Sequence, residues 1–300
     1  MNQPWRTCLL KKPGKLSLKR RIRMKLRYWL RPIFSIALKD IKIAIRYRTF
    51  FVASFVWPII FPFSFIFLGK GLAGRSNEGL AHFTALSQTG DYASFLIIGS
   101  LIWMFVNINL WMGGLALHND RVRGTFDTHW STPVNRRSLV LGATVASLVL
   151  NFIPMVTSIL FYAGAGLLEI SGNFPAILIA VVGVLPFLLG FLFTFSALTM
   201  RLRESGMIVH IMRTLFSIFC GMQFPLAVLP AFAQSIGKYI PLTHFVNILR
   251  GIIIRGESIA SHGESFAYLL VSGLVMFAAG LLVFDLMEKN VRSRGLVSGY

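Results

Sequence analysis

Six apolar runs, each about 20 residues or longer, divide the chain, and each suffices for a helix to cross roughly 30 Å of hydrocarbon. Their approximate limits are Phe50–Leu68, Tyr92–Leu117, Ser138–Leu168, Ala176–Met200, Met207–Gln223 and Phe266–Leu286. Inside a bilayer a backbone must satisfy its own polar groups, so the runs predict an all-α polytopic membrane protein with six transmembrane helices. The fifth run is the weakest, because His210 and Arg213 lie near its start. Hydrophobic residues make up 55% of the chain and charged ones 14%, more apolar than a soluble core requires.

The net charge of +19 raises the question of nucleic acid, but its distribution answers it. Residues 1–49 hold 15 of the 30 Lys and Arg and a single acid, Asp40. A basic block ahead of the first apolar run suits a cytoplasmic flank facing anionic lipid, and no interleaved aromatic and basic domain follows to hold nucleic acid. With both termini inside, the cytoplasmic segments carry 24 Lys and Arg and the outer segments 5. That asymmetry predicts cytoplasmic N and C termini in a multi-pass protein of a cell membrane, of the bacterial or archaeal plasma-membrane kind. No cleavable leader is expected, since the charged stretch would run for nearly 50 residues. Cys8 lies in the basic tail and Cys220 in an apolar segment, so no disulfide is expected.

The organisation follows: a basic tail over 1–31, an amphipathic helix over 32–48, a six-span domain over 49–286 and a C-terminal tail over 287–300. In the second segment Ile33, Ile36, Ala37, Ile41, Ala44 and Ile45 share one helical face, and Ser35, Lys39, Lys42 and Arg46 the other. Pro32 suits a first helical turn. Sixteen residues with two faces cannot span, so the helix lies in the membrane interface or packs on a partner. Upstream, Lys11–Arg31 fits either a second surface helix or a disordered basic tail. Between spans five and six, Ala231–Ile240 and Leu242–Ile254 are too short to span. They suit re-entrant helices bounded by Phe224, Pro225, Pro230 and Pro241, with Arg250 inside the second; the alternative is an external loop.

No G-x-x-x-x-G-K-[ST] loop, H-E-x-x-H pattern, Cys/His cluster or G-x-S-x-G elbow occurs, so no catalytic residue, metal site or cofactor is expected on this chain. No carboxylate lies well inside a span, which weighs against a carrier driven by an ion gradient. The polar loop His118–Arg137 is too elaborate for a connector. Asp120 can charge-stabilise a short helix, Gly124-Thr125 can break one helix and start the next, and Asp127 falls in a first turn ending before Pro133.

Together these motifs resemble the permease subunit of a type-2 ATP-binding-cassette (ABC) exporter. The resemblance rests on the helix before the first span, on Asp120-x-x-x-Gly124-Thr125-x-Asp127…Thr132-Pro133, on Gly221-Met-Gln-Phe-Pro225…Leu229-Pro230, and on Ile240-Pro-Leu-Thr243…Leu249-Arg250-Gly251. It covers nearly all of the chain after residue 32. It implies two permease chains, identical or related, and two separate ATPase subunits that bind ATP and Mg. It also implies that Lys39 and Asp40, and the loop residues Asp120, Gly124, Thr125, Asp127, Thr132, Pro133 and Arg136, receive the ATPase. At 120 and 127 Asp replaces the family's usual Glu, and His129-Trp130 replaces more aliphatic residues.

The resemblance further places spans two and five along the substrate path. In span two Trp103, Asn107, Trp111 and Gly114 share a face at i, i+4, i+8 and i+11. Asn107 can meet substrate, a dimer mate or a neighbouring helix, and Trp111 suits an interfacial anchor. In span five His210 and Arg213 lie one turn apart, either as a polar entrance for an anionic headgroup, or in a salt bridge to Glu204, or snorkelling towards lipid. Gln223 closes that span. The implied function is ATP-driven export of a hydrophobic or amphipathic substrate such as a drug, peptide or lipid. Its rivals are export of a lipid-linked polysaccharide and an ion-gradient carrier.

Overall fold

Five of the six apolar runs form helices long and apolar enough to cross a membrane: Phe51–Gly71, Tyr92–Gly114, Arg137–Gly164, Phe174–Thr199 and Ile259–Val291. The computed structural model describes residues 18–73, 83, 91–126, 128, 132, 134–171, 173–200, 202 and 205–293. Among these, every regular element is helical. In chain order they are α1 (Leu18–Arg46), α2 (Arg48–Ala73), α3 (Tyr92–Asn109) continued by a π-helical turn (Leu110–Gly114), α4 (Ala116–Val122), α5 (Arg137–Gly164), α6 (Phe174–Thr199), α7 (Ser205–Phe219), α8 (Ala231–Tyr239), α9 (Pro241–Arg255) and α10 (Gly263–Ser293). Over its described residues the protein is all-helical, with several helices of membrane-spanning length, as in a multi-pass membrane protein.

Two elements depart from the sequence reading. The first helix starts at Leu18 and runs through Pro32, so residue 32 does not begin it. Its Leu, Lys and Arg residues are good helix formers, and one proline removes a single backbone bond. The fifth run yields α7 of only 15 residues, about 22 Å long, which falls short of roughly 30 Å of hydrocarbon. Gly221, with φ of 63°, turns the chain where the apolar composition continues.

The core is organised around α3. Of its apolar window 83% is buried inside the protein, against 17% for α2 and for the last helix. Beside it α6 and α10 run in close contact. A Cβ built on Gly280 would come within 2.2 Å of the Gly190 carbonyl oxygen, so only glycine permits this approach of the two backbones. On the other flank α1 lies against α5, where Ile36 packs on Gly142.

Candidate functional site

The loop motif acquires a physical meaning in the backbone after α4. Gly124 adopts a left-handed φ of 70° just past the helix end. Its N–H donates to the Arg121 carbonyl at 3.0 Å, and the Thr125 N–H donates to the Asp120 carbonyl at 2.9 Å. This pair of bonds is the Schellman closure of a helix C-terminus. The Thr125 hydroxyl adds contacts to the Asp120 carbonyl (3.2 Å) and carboxylate (3.4 Å), so acid, glycine and threonine form one knot. Thr132 is half-buried, and Asp127 and Pro133 lie outside the described residues. Arg136 sits with its Nε 3.9 Å from Glu288 of α10, and beside it Arg137 forms a forked ion pair with Asp285.

The knot is tied to α1. Lys39 Nζ lies 3.5 Å from Asp40 and 3.7 Å from Asp120, so two acids share one cation between the first helix and the loop. Burial raises the Asp40 carboxyl above its ordinary range; Lys39 opposes the rise and Asp120 adds to it. Lys39, placed on the polar face by its helical position, thus turns inward.

These same groups line one end of a cavity of about 990 Å³. Ile36, Lys39, Asp40 and Tyr47 come from α1 and its end, and Ser54, Trp57 and Phe61 from α2. Span two contributes Trp103, Met104, Asn107 and Trp111, the α4 segment contributes Asn119, Asp120 and Arg123, and α7 contributes Arg213. Of the residues singled out from sequence, the fold therefore gathers Trp103, Asn107, Trp111 and Arg213 with Lys39, Asp40 and Asp120. His210 stays at the edge, its ring 5.5 Å from that of Trp111 in an edge-on contact. Gln223 lies in the turn beyond α7 and outside the cavity lining. Tyr47, Trp57 and Phe61 were not singled out, because nothing local marks which face of α2 turns to the cavity.

Inside the cavity, Trp103 stacks on Phe61 with centroids 4.7 Å apart and planes at 10°. The Arg213 guanidinium lies 5.3 Å from the Trp103 ring centroid, and its Nη1 reaches Asn107 Oδ1 at 3.5 Å. The π-helical turn explains why Gly114 leaves this face. Bonds to the fifth residue instead of the fourth turn the chain less per residue and so shift the helix phase, and Gly114 packs on Leu192 and Phe195 of α6. The carbonyls the turn frees find partners: the Asn119 amide donates to Trp111 O at 3.1 Å and the Thr199 hydroxyl to Gly114 O at 3.4 Å. Asn109 was passed over in the sequence, yet it is the fully buried asparagine; it accepts from the Ser147 hydroxyl at 2.7 Å and so joins α3 to α5.

At the far end of α3 the turn after α7 is pinned by Arg250 of α9. Phe224 and Pro225 lie in this turn, Pro230 precedes α8 and Pro241 opens α9. The Arg250 guanidinium donates to Gly221 O and Met222 O at 2.7 Å each and to Phe95 O at 3.2 Å, with the Phe95 ring centroid 3.4 Å away. Gly99 makes room for the turn, since a Cβ there would fall 1.6 Å from Met222 O.

Among the described residues no group of His, Cys, Asp and Glu is placed to hold a metal ion. Comparison with known proteins finds that residues 76–282 match the model of a family described as ABC-2 family transporter protein. No curated protein matches the chain.

Proposed function

We propose that this chain, which belongs to the ABC-2 transporter family by a match over more than half its length, is the permease of an ATP-driven exporter for a hydrophobic or amphipathic substrate. Membership makes it a membrane-embedded ABC permease and implies an ABC ATPase as its partner. On this reading two permease chains, identical or related, assemble with two ATPase subunits. The ATPase subunits bind ATP and Mg²⁺, and the permease itself is not an enzyme. Six crossings are completed by α7 together with the turn that follows it, both termini face the cytoplasm, and the location is a cell membrane. Helix α1 lies in the interface: besides the face on α5 it exposes apolar Phe34, Leu38 and Ile45, next to polar Ser35, Lys42 and Arg46. The proline-bounded α8 and α9 dip into the outer leaflet.

One observation carries the proposal. Asp120 and Arg123, beside the glycine-closed helix end, line the same cavity as Trp103, Asn107 and Arg213. A push on the loop therefore acts directly on the wall of the space that holds substrate. Lys39 and Asp40 carry the same push into α1, with Thr125, Thr132, Arg136, Asp127 and Pro133 completing the docking surface. A lipid-linked polysaccharide is the second reading, favoured by the aromatic rings of Tyr47, Trp57, Phe61, Trp103 and Trp111 on the cavity wall, which suit stacking on sugar faces.

The test is purification of the chain from its native membrane, followed by ATPase and vesicle transport assays. Expected are stoichiometric association with a nucleotide-binding subunit and transport that requires ATP. Transport that runs without ATP and collapses under an ionophore would show an ion-gradient carrier instead and sink the proposal.

A further inference from the structure

We propose that Arg213 is the recognition site for a single anionic group, phosphate or carboxylate, on an amphiphile whose tail lies against the aromatic wall of the cavity. The inference rests on the permease reading for its biological sense, but the site itself is argued from the charges of the cavity.

Five ionisable side chains line it: Lys39, Arg123, Arg213, Asp40 and Asp120. Lys39 is paired with both acids, and Arg123 adds its charge to the field at Asp40. Among the described residues, which do not include Glu204, Arg213 has no carboxylate within ion-pair distance. Among the described residues its one polar contact is the long one to Asn107, which engages one of five guanidinium N–H donors. The ring of Trp103, itself backed by Phe61, holds the planar group in place by its negative face without neutralising it. A guanidinium positioned in this way, with donors to spare and apolar rings around it, matches the forked geometry of a phosphate or carboxylate. The Asn107 amide NH₂ supplies further donors beside it, since its Oδ1 already faces Arg213. A cationic amphiphile meets repulsion at the same point, and a neutral one gains only the aromatic surface.

The experiment uses the full chain in phosphatidylcholine nanodiscs and three probes of equal tail: dodecyl phosphate, dodecyl maltoside and dodecyltrimethylammonium. Binding is read by titration calorimetry. Dodecyl phosphate is expected to bind at least about tenfold more tightly than the cationic probe, as one charge-assisted contact allows. R213Q is expected to abolish that preference, so that dodecyl phosphate binds no more tightly than maltoside, and an unchanged thermal melt and elution volume verify that the variant is folded. R213K, which keeps the charge, is expected to retain a reduced preference. An R213Q chain that still favours dodecyl phosphate overturns the proposal, as does a native chain with no preference. Repeating the titration with phosphatidylglycerol in the disc separates the sources. Competition assigns the site to a bilayer headgroup, and none assigns it to a free amphiphile; both uphold an anion site at Arg213. Since binding needs no ATPase, a lost preference leaves the export reading standing, whereas anion binding by a chain that never recruits an ATPase breaks that reading alone.

Discussion

Arg250 is 4% exposed and donates to three backbone carbonyls, whereas Arg213 is half-buried and reaches one side-chain oxygen at 3.5 Å. Both guanidiniums also lie over an aromatic ring, Phe95 for Arg250 and Trp103 for Arg213. The difference lies in what surrounds the charge. Around Arg250 the chain has turned carbonyls inward, so the cation crosslinks α3, α9 and the turn after α7. Around Arg213 it has left a cavity. A buried cation that holds a fold together uses its donors on the protein; one that meets a ligand keeps them open.

The sharpest way to break this contrast is Arg250→Met. It would leave the carbonyls of Gly221 and Met222 without their donor at a buried site, where each unsatisfied group costs about 1–3 kcal/mol. A fall in Tm of more than about 10 °C, or loss of the monodisperse protein, is expected in detergent thermal scans. Gly99→Ala attacks the same contact from the opposite side and should lower Tm as well, since its methyl cannot share space with Met222 O. If either variant melts with the native protein, Arg250 is no crosslink.

Next in size is Gly124→Val at the cavity end. A residue with a Cβ pays about 1–2 kcal/mol for the left-handed conformation, and a β-branched one more. Among the described residues no atom beyond its chain neighbours lies within 4 Å of the added Cβ, so the strain stays in the loop. The spans should remain folded while ATP hydrolysis in the complex loses its coupling to transport. Unchanged transport per ATP would remove the loop's docking role.

Arg213→Gln should move Tm by no more than about 2 °C, because the side chain contributes one long contact to the fold. A large destabilisation would place Arg213 with Arg250 as a structural group and erase the contrast. Asp40→Asn should have the smallest effect on stability, confined there to its pH dependence. Burial raises the folded-state value of Asp40, so the folded protein holds that proton more tightly than the unfolded chain. Its contribution to stability is therefore full below the ordinary carboxyl value and is lost as pH rises through the folded value. Thermal scans from mild acid to neutral pH should show a flatter profile for the Asn variant than for the native chain.

Much of the fold was legible because the signal was local. Hydrophobic length alone located α2, α3, α5 and α6 within a few residues, and α10 apart from its polar last turns, since crossing a bilayer sets a minimum run of apolar residues. Pro241 announced the start of α9 by its fixed φ, and Gly124 announced a helix end by the φ that only glycine adopts cheaply. The apolar content of Cys220–Phe224, by contrast, hid the end of α7, because hydropathy registers burial and not the direction of the chain. Likewise the four-residue spacing correctly grouped Trp103, Asn107 and Trp111 but carried Gly114 along with them. The π-helical turn lay between, and its phase shift leaves no mark in composition.

By itself, then, the sequence determined the membrane class, the resemblance to ABC permeases and the glycine-closed loop, each set by run length or by one residue's backbone freedom. Only the tertiary structure decided which arginine is spent on the fold and which faces a cavity, and that Asn109 rather than Asn107 bonds to Ser147. Whether a polar group is satisfied depends on which carbonyls, acids and rings distant segments bring within about 3 Å of it. Spacing along one helix carries no record of that.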